Sequence, residues 1–188
     1  MNEPAEQLLA RARAGDSAAA AGLVAQTYER VYAFLRRLSG HDSDAQDLTQ
    51  KTFAKVWTSL GSYRSQASVS TWIHSIAYHV YVDWRRQSKP ADAKADGWWE
   101  NCPAAGPSPF EDAARRDAAA RLYALVEGLP ADARELVHLH YYQELTLQEC
   151  AEVLDIAVST VKYRLRSALD RLQSLAAEPR SHLIPSKL

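Results

Sequence analysis

Four of the chain's eight prolines, Pro90, Pro103, Pro107 and Pro109, crowd into one stretch, and Gly97 and Gly106 lie among them. Proline fixes φ and lacks a backbone donor, so no regular element runs easily through such a segment. Residues 90–112 are therefore expected to be a flexible linker between an N-terminal domain over 1–89 and a C-terminal domain over 113–178. Residues 179–188, with Pro179 and Pro185, read as a flexible tail. Within the linker, the indole pair Trp98 and Trp99 is expected either to fold back on a neighbouring lobe or to anchor a partner.

Both flanks carry helical periodicity. Ala20, Leu23, Val24, Thr27, Val31, Phe34, Leu35 and Leu38 recur at steps of three and four, with Asp16 as a candidate N-cap and Ser39-Gly40 as a stop. A second helix carries Leu48, Thr52, Phe53, Val56, Trp57 and Leu60 up to Gly61. A third carries Ile73, Ile76, Ala77, Val80 and Trp84. Beyond the linker come Ala118, Leu122, Leu125 and Val126, then Leu136, Val137, Leu139 and His140 after Pro130, then paired segments on either side of Asp155. No strand alternation competes with this pattern. The expected fold is all-α: two small helical domains on a tether.

The paired segments, Leu147 to Arg166, read as a helix-turn-helix. Ala151 is small where the helices must cross closely, and Cys150, Leu154, Ile156, Val161 and Leu165 supply the apolar contacts. Asp155 occupies the turn, being one of the few non-glycine types that tolerate left-handed backbone. Ser159 or Thr160 is expected to cap the second helix, which presents Lys162, Tyr163, Arg164 and Arg166, whereas the first presents Glu149 and Glu152. Such segregation suits a helix entering a major groove by its N-terminal end; a solvated amphipathic hairpin would look similar.

Charge and composition exclude other classes. The 22 Lys and Arg against 23 Asp and Glu give a formal charge of −1, which rules out a uniformly basic nucleic-acid binder but not one with segregated faces. Cys102 and Cys150, without an N-terminal apolar run, argue against a secreted disulfide scaffold. No stretch reaches the roughly 20 apolar residues needed to cross a bilayer. The expectation is a cytoplasmic protein with no membrane insertion. His41, His74, His79, His138, His140 and His182 form no metal-binding pattern, and no phosphate-cradling loop or nucleophile elbow occurs, so no catalytic residue, metal or cofactor is expected. An ordinary helix-turn-helix regulator with a ligand-binding or dimerising N-terminal domain is the alternative.

The N-terminal half carries a more specific set of strings. Asp44 to Trp57 reads DAQDLTQKTFAKVW, Ser70 to Ala77 reads STWIHSIA, and Asp83 to Arg86 reads DWRR. In this order, followed by Leu129-Pro130 and the helix-turn-helix, they span about residues 20–172. The chain resembles the small extracytoplasmic-function class of bacterial sigma factors.

That resemblance implies binding to the RNA polymerase core enzyme and to promoter DNA, and control by an anti-sigma factor. It assigns core docking to Asp44, Asp47 and Gln50, with Lys51 departing from the usual acid. It places −10 recognition and melting in the N-terminal domain. Single-stranded bases are held by aromatic surfaces beside basic side chains, a description that fits Tyr63, Arg64, His74, Tyr78, His79, Arg85 and Arg86. His74, Tyr78, Tyr81 and Arg85 share one helix face, and Ile73, Ala77, Val80 and Trp84 form the core stripe; Trp72 reads as core or as stacking platform. The family commonly has Arg and Asn where Tyr78 and His79 stand, which leaves base preference open. The −35 element falls to Ser159, Thr160, Lys162, Tyr163, Arg164 and Arg166.

Overall fold

The computed structural model describes residues 3–65, 67–87 and 109–177, with side chains from 118 onward in the last segment. The Trp98-Trp99 pair, Cys102, most of the expected linker and the expected tail lie outside the described residues. Eight α-helices are described, and no strand occurs among these residues. They are α1 (Ala5–Arg13), α2 (Ser17–Ser39), α3 (Asp42–Ser59), α4 (Val69–Gln87), α5 (Pro109–Glu127), α6 (Ala131–Val137), α7 (Leu147–Leu154) and α8 (Val158–Ala177). Helix α5 thus begins inside the stretch read as linker.

Local chemistry sets the boundaries. Asp16 caps α2 by accepting from the Ala18 and Ala19 amides at 2.9 and 3.0 Å. Gly40 ends the helix at φ 80°, a left-handed conformation that glycine adopts without strain. Thr146 and Glu149 form a reciprocal capping box at the start of α7, and Asp155 ends it in the left-handed region at φ 53°. Helix α8 starts slightly before the expected caps. Ala157, rather than Ser159 or Thr160, offers the first carbonyl, accepting from the Thr160 and Val161 amides.

Helices α1 to α4 pack around Leu9, Leu23, Phe34, Leu35, Leu48 and Ile73. Helix α1, whose short apolar pair Leu8-Leu9 gives little periodic signal, closes one side; it approaches α2 at Gly22, where a Cβ would meet Leu8 at 3.3 Å. In the second lobe, Leu136, Leu139, Cys150, Val153 and Val161 are buried between α6, α7 and α8. Fully burying such a side chain contributes about 1.5–3 kcal/mol. Cys150 belongs to this core, and burial pushes its thiol up to about 12. Helix α5 is less engaged than its stripe suggested: Val126 is buried, but Ala118 and Leu122 are exposed.

Two features bring the lobes together. The chain after α6 continues as a π-helical turn, His138–Tyr142, whose wider winding lets the Gln143 amide donate to the His138 carbonyl at 3.1 Å. This turn packs against α2, and Arg37 of α2 lies 4.4 Å from the Tyr142 ring centroid. Helix α7 packs along α4. One buried apolar cluster runs through both lobes, but most of the named contacts between them are polar.

Candidate functional site

Helix α3 supplies the first surface. Asp47 and Gln50 are exposed and Asp44 is half-buried, while Leu48, Thr52, Phe53 and Val56 face the core. Gln50 lines an open groove of about 710 Å³ with Gln46, Phe53, Ala54 and Trp57 of α3 and Val24, Tyr28 and Tyr32 of α2. Tyr28 stacks between Tyr32 and Phe53, with ring centroids 6.2 and 6.0 Å away. The Tyr32 hydroxyl donates to Asp42; burial and that carboxylate push its pKa up to about 12. Sequence reasoning named Gln50 but missed Gln46 and the two tyrosines. Tyr28 and Tyr32 are four apart and share a face, which was the available signal.

The second surface is the loop before α4. Tyr63 is 7% exposed, donates its hydroxyl to the Ala67 carbonyl at 2.7 Å and packs on Trp72 at 5.2 Å. Ser62, Tyr63, Arg64, Ala67, Thr71, Trp72 and Ser75 line a half-open pocket of about 370 Å³, and Glu152 of α7 stands at it too. Arg64 is exposed beside the half-buried Trp72 ring, a cation next to a partly open aromatic surface, the combination that holds unpaired bases. Trp72 is half-buried, so it both packs and lines the pocket.

Helix α4 departs from its expected division into an open face and a core face. His74 and Tyr81 are as buried as the core stripe, and Tyr78 is half-buried, because the second lobe packs on that face. The His74 Nδ1 lies 2.8 Å from the Ser70 carbonyl, and its Nε2 lies 3.2 Å from the side-chain oxygen of Gln143. Burial lowers the His74 pKa and favours the neutral ring. The Tyr78 hydroxyl donates to Glu135 at 2.8 Å, and Arg85 pairs with the same carboxylate; burial and then Glu135 raise the Tyr78 pKa. Asp83 pairs with Lys55 at 3.6 Å. His79 and Arg86 remain exposed.

The third surface is α8. Ser159, Lys162, Tyr163 and Arg166 are exposed, Tyr163 at 75%, while Val161 and Leu165 hold the helix to its lobe. Thr160 is half-buried. Arg164 reaches back to Asp132 of α6 at 3.5 Å, so its charge is partly engaged within the lobe. Among the described residues no cluster of three His, Cys, Asp or Glu side chains is placed to hold a metal ion, and no helix is long and apolar enough to cross a membrane.

Comparison with known proteins gives these surfaces a context. The sequence model of Sigma-70 region 2 matches residues 23–90 and that of Sigma-70 region 4 matches residues 119–172. The ECF RNA polymerase sigma factor RpoE of Cereibacter sphaeroides is 31% identical, over 84% of this chain and 86% of its own length. The ECF RNA polymerase sigma factor SigE of Mycolicibacterium smegmatis is 30% identical over 87% of this chain and 64% of its own length. Among solved structures, CnrH in complex with the cytosolic domain of CnrY has the same fold at 22% identity and a TM-score of 0.66, covering 90% of this chain and 94% of that one. The chain belongs to the extracytoplasmic-function family of bacterial sigma factors, which direct RNA polymerase to promoter DNA.

Proposed function

We propose that the three surfaces divide the labour of promoter recognition within this chain. The α3 face of Asp44, Asp47 and Gln50, extended by the Tyr28 groove, docks on the polymerase core. Amide and acidic side chains around an aromatic floor suit a basic, partly apolar partner helix pair. The pocket of Tyr63, Arg64 and Trp72 takes an unpaired base of the −10 strand. His79 and Arg86 lie open along α4, and His74, Tyr78 and Arg85 line the same helix on the face that α6, α7 and the π turn cover. Ser159, Thr160, Lys162, Tyr163, Arg164 and Arg166 of α8 read the −35 duplex. The domain limits that serve this division are 1–89 and 113–178, with 90–112 between them and 179–188 after them; α5, which begins at Pro109, takes in the last residues of that middle stretch.

The observation that carries this reading is the pairing, in one chain, of a base-sized aromatic pocket beside Arg64 with a helix whose opening turns present exposed Lys162, Tyr163 and Arg166. A site for unstacked bases and a groove-reading helix are the two halves of promoter opening. We infer a cytoplasmic factor that acts by binding polymerase and its promoter rather than by catalysis of its own. An anti-sigma partner is part of the proposal, supported by the fold shared with the sigma factor RpoE of Bartonella quintana, solved in complex with the anti-sigma factor NepR.

Transcription from a random-promoter library with purified core polymerase tests the assignment. Enrichment of templates sharing two spaced elements, lost for the upstream element on replacing Lys162 and for the downstream one on replacing Arg64, is the expected result. A library with no enriched element would overturn it.

A further inference from the structure

At 75%, Tyr163 is the most exposed large apolar side chain among the described residues, and it makes no ring contact and no hydrogen bond with any of them. The packing of α8 holds it there. Val161, Leu165 and Ala168 are buried, and Arg164 turns back to Asp132 of α6. Helix α8 rests on α6 and α7, and α5 meets its far end, where Arg121 donates to the Ala176 carbonyl at 3.4 Å. Position 163 therefore points away from the lobe, in the second turn of the helix.

Its neighbours leave the ring uncovered. Ser159 and Ser167 stand four residues before and after it on the same face, and both are exposed. Side chains that short cannot shield an aromatic ring, so both of its flanks are open along the helix. Lys162 and Arg166, also exposed and four apart, form the adjacent row. A single exposed aromatic is ordinary on a protein surface. Here the ring stands proud of two serines and beside two cations, on a helix placed to enter a groove.

Bases in a duplex are stacked and paired, so a side chain in the major groove meets only their edges. Those edges carry donors, acceptors and one apolar group, the 5-methyl of thymine. Lys162 and Arg166 suit phosphates and guanine edges. A ring pressed on donors and acceptors would strip them of water and return nothing, whereas a methyl group gains by the contact. We propose that Tyr163 is a specificity-determining residue for the −35 element, its ring packing on the 5-methyl group of a thymine. This rests on the reading of α8 as the −35 helix. Burial of one methyl-sized group changes affinity about fourfold, a preference that adds to what the two cations supply.

The test uses holoenzyme assembled from the full chain and core polymerase, with a promoter whose upstream element it selects from the random library. Each thymine of that element, on either strand, is replaced singly by deoxyuridine. This removes the methyl group and keeps the pairing and the O4 acceptor. Affinity is read by competition against the fluorescein-labelled parent promoter. One replacement is expected to weaken wild-type binding about fourfold. Y163A is expected to show no penalty at that position, and Y163F, which keeps the ring without the hydroxyl, to show the same penalty as wild type.

A selected upstream element without thymine, equal affinity for every deoxyuridine promoter, a penalty that persists in Y163A, or one that vanishes in Y163F would each overturn methyl reading by the ring while leaving α8 as the −35 helix. A wild-type holoenzyme that selects no upstream element would overturn the assignment of α8 and methyl reading with it.

Discussion

Glu135 of α6 and Arg85 of α4 pair across the two lobes, with the carboxylate side chain 3% exposed and the guanidinium 44% exposed. Removing Arg85 leaves a buried carboxylate with the Tyr78 hydroxyl as its remaining cross-lobe partner. An under-satisfied buried group costs about 1–3 kcal/mol, and water reaching in from the exposed side keeps the loss below that of a fully buried pair. Arg85→Ala is therefore expected to destabilise by that amount in urea denaturation, and R85A/E135Q to recover most of it. Additive losses in the double variant would show that the two residues are not energetically coupled.

Two buried histidines set a pH dependence. His74 faces Ser70, Arg30, Gln143 and Glu149, and His138 faces Glu127, Arg37 and Arg134; in both, burial is the largest influence and lowers the pKa below 6.5. The unfolded chain then binds more protons than the folded one in the window below that value. Their contribution to stability is full above pH 6.5 and falls progressively as the solution is acidified. The urea midpoint is expected to drop between pH 7.5 and 5.5, and H74Q to show a shallower drop. A flat midpoint in wild type over that range would mean that neither histidine is held neutral by the fold.

The turn of the helix-turn-helix depends on Asp155 at φ 53°. Aspartate tolerates this conformation, glycine adopts it freely, and a β-branched residue does not. D155G is expected to keep or slightly raise the melting temperature, whereas D155V loses about 1–2 kcal/mol from the left-handed backbone alone. Equal melting temperatures for the two variants would indicate that the turn changes conformation rather than carrying strain.

The same residue shows what kind of information a sequence exposes. Asp16 acts through its side chain on the next few amides, and Gly40 and Asp155 act through their own backbone, so chain position was enough to read them. The stripe of Ile73, Ala77 and Val80 was legible for the same reason: apolar burial repeats every three or four residues. His74 is different. It lies on the polar side of α4, where its ring meets Phe34 of α2 and its Nε2 meets Gln143, 69 residues away and aimed by a π-helical turn that leaves no periodic trace. Glu135 and Glu149 likewise read as ordinary solvated acids until their partners on α4 are known. Helix α1 escaped notice because nine residues with one buried leucine pair carry too little repetition.

The groove on α2 and α3 offers a contact whose loss should spare folding. Tyr28 is 42% exposed and stacks on Phe53 and Tyr32 without entering the core. A partly exposed aromatic at the centre of an interface commonly contributes about 2 kcal/mol or more to binding. Tyr28→Ala is expected to weaken association with core polymerase by that order in a competition assay, with its urea midpoint near wild type. Wild-type competition would move polymerase docking away from this groove.

Helix α8 allows a finer separation, because its cations are not equally free. Lys162 and Arg166 are exposed, whereas Arg164 is 34% exposed and lies 3.5 Å from Asp132. A phosphate contact contributes to the salt dependence of DNA binding, with a slope of about 0.9 per contact for duplex DNA. Replacing Lys162 or Arg166 by alanine should weaken binding to a −35 duplex and reduce that slope by about one if the contact is to phosphate, or cost roughly 1–3 kcal/mol selectively at one base if it is to a guanine edge. Asp132→Asn should act in the opposite direction. Neutralising the acid frees Arg164 for DNA, so affinity rises and the slope steepens. Anisotropy titrations between 50 and 200 mM salt, as orders of magnitude for the useful range, distinguish these outcomes. If D132N binds as wild type while R164A binds more weakly, Arg164 reaches DNA without first leaving Asp132, and α8 docks with that pair intact.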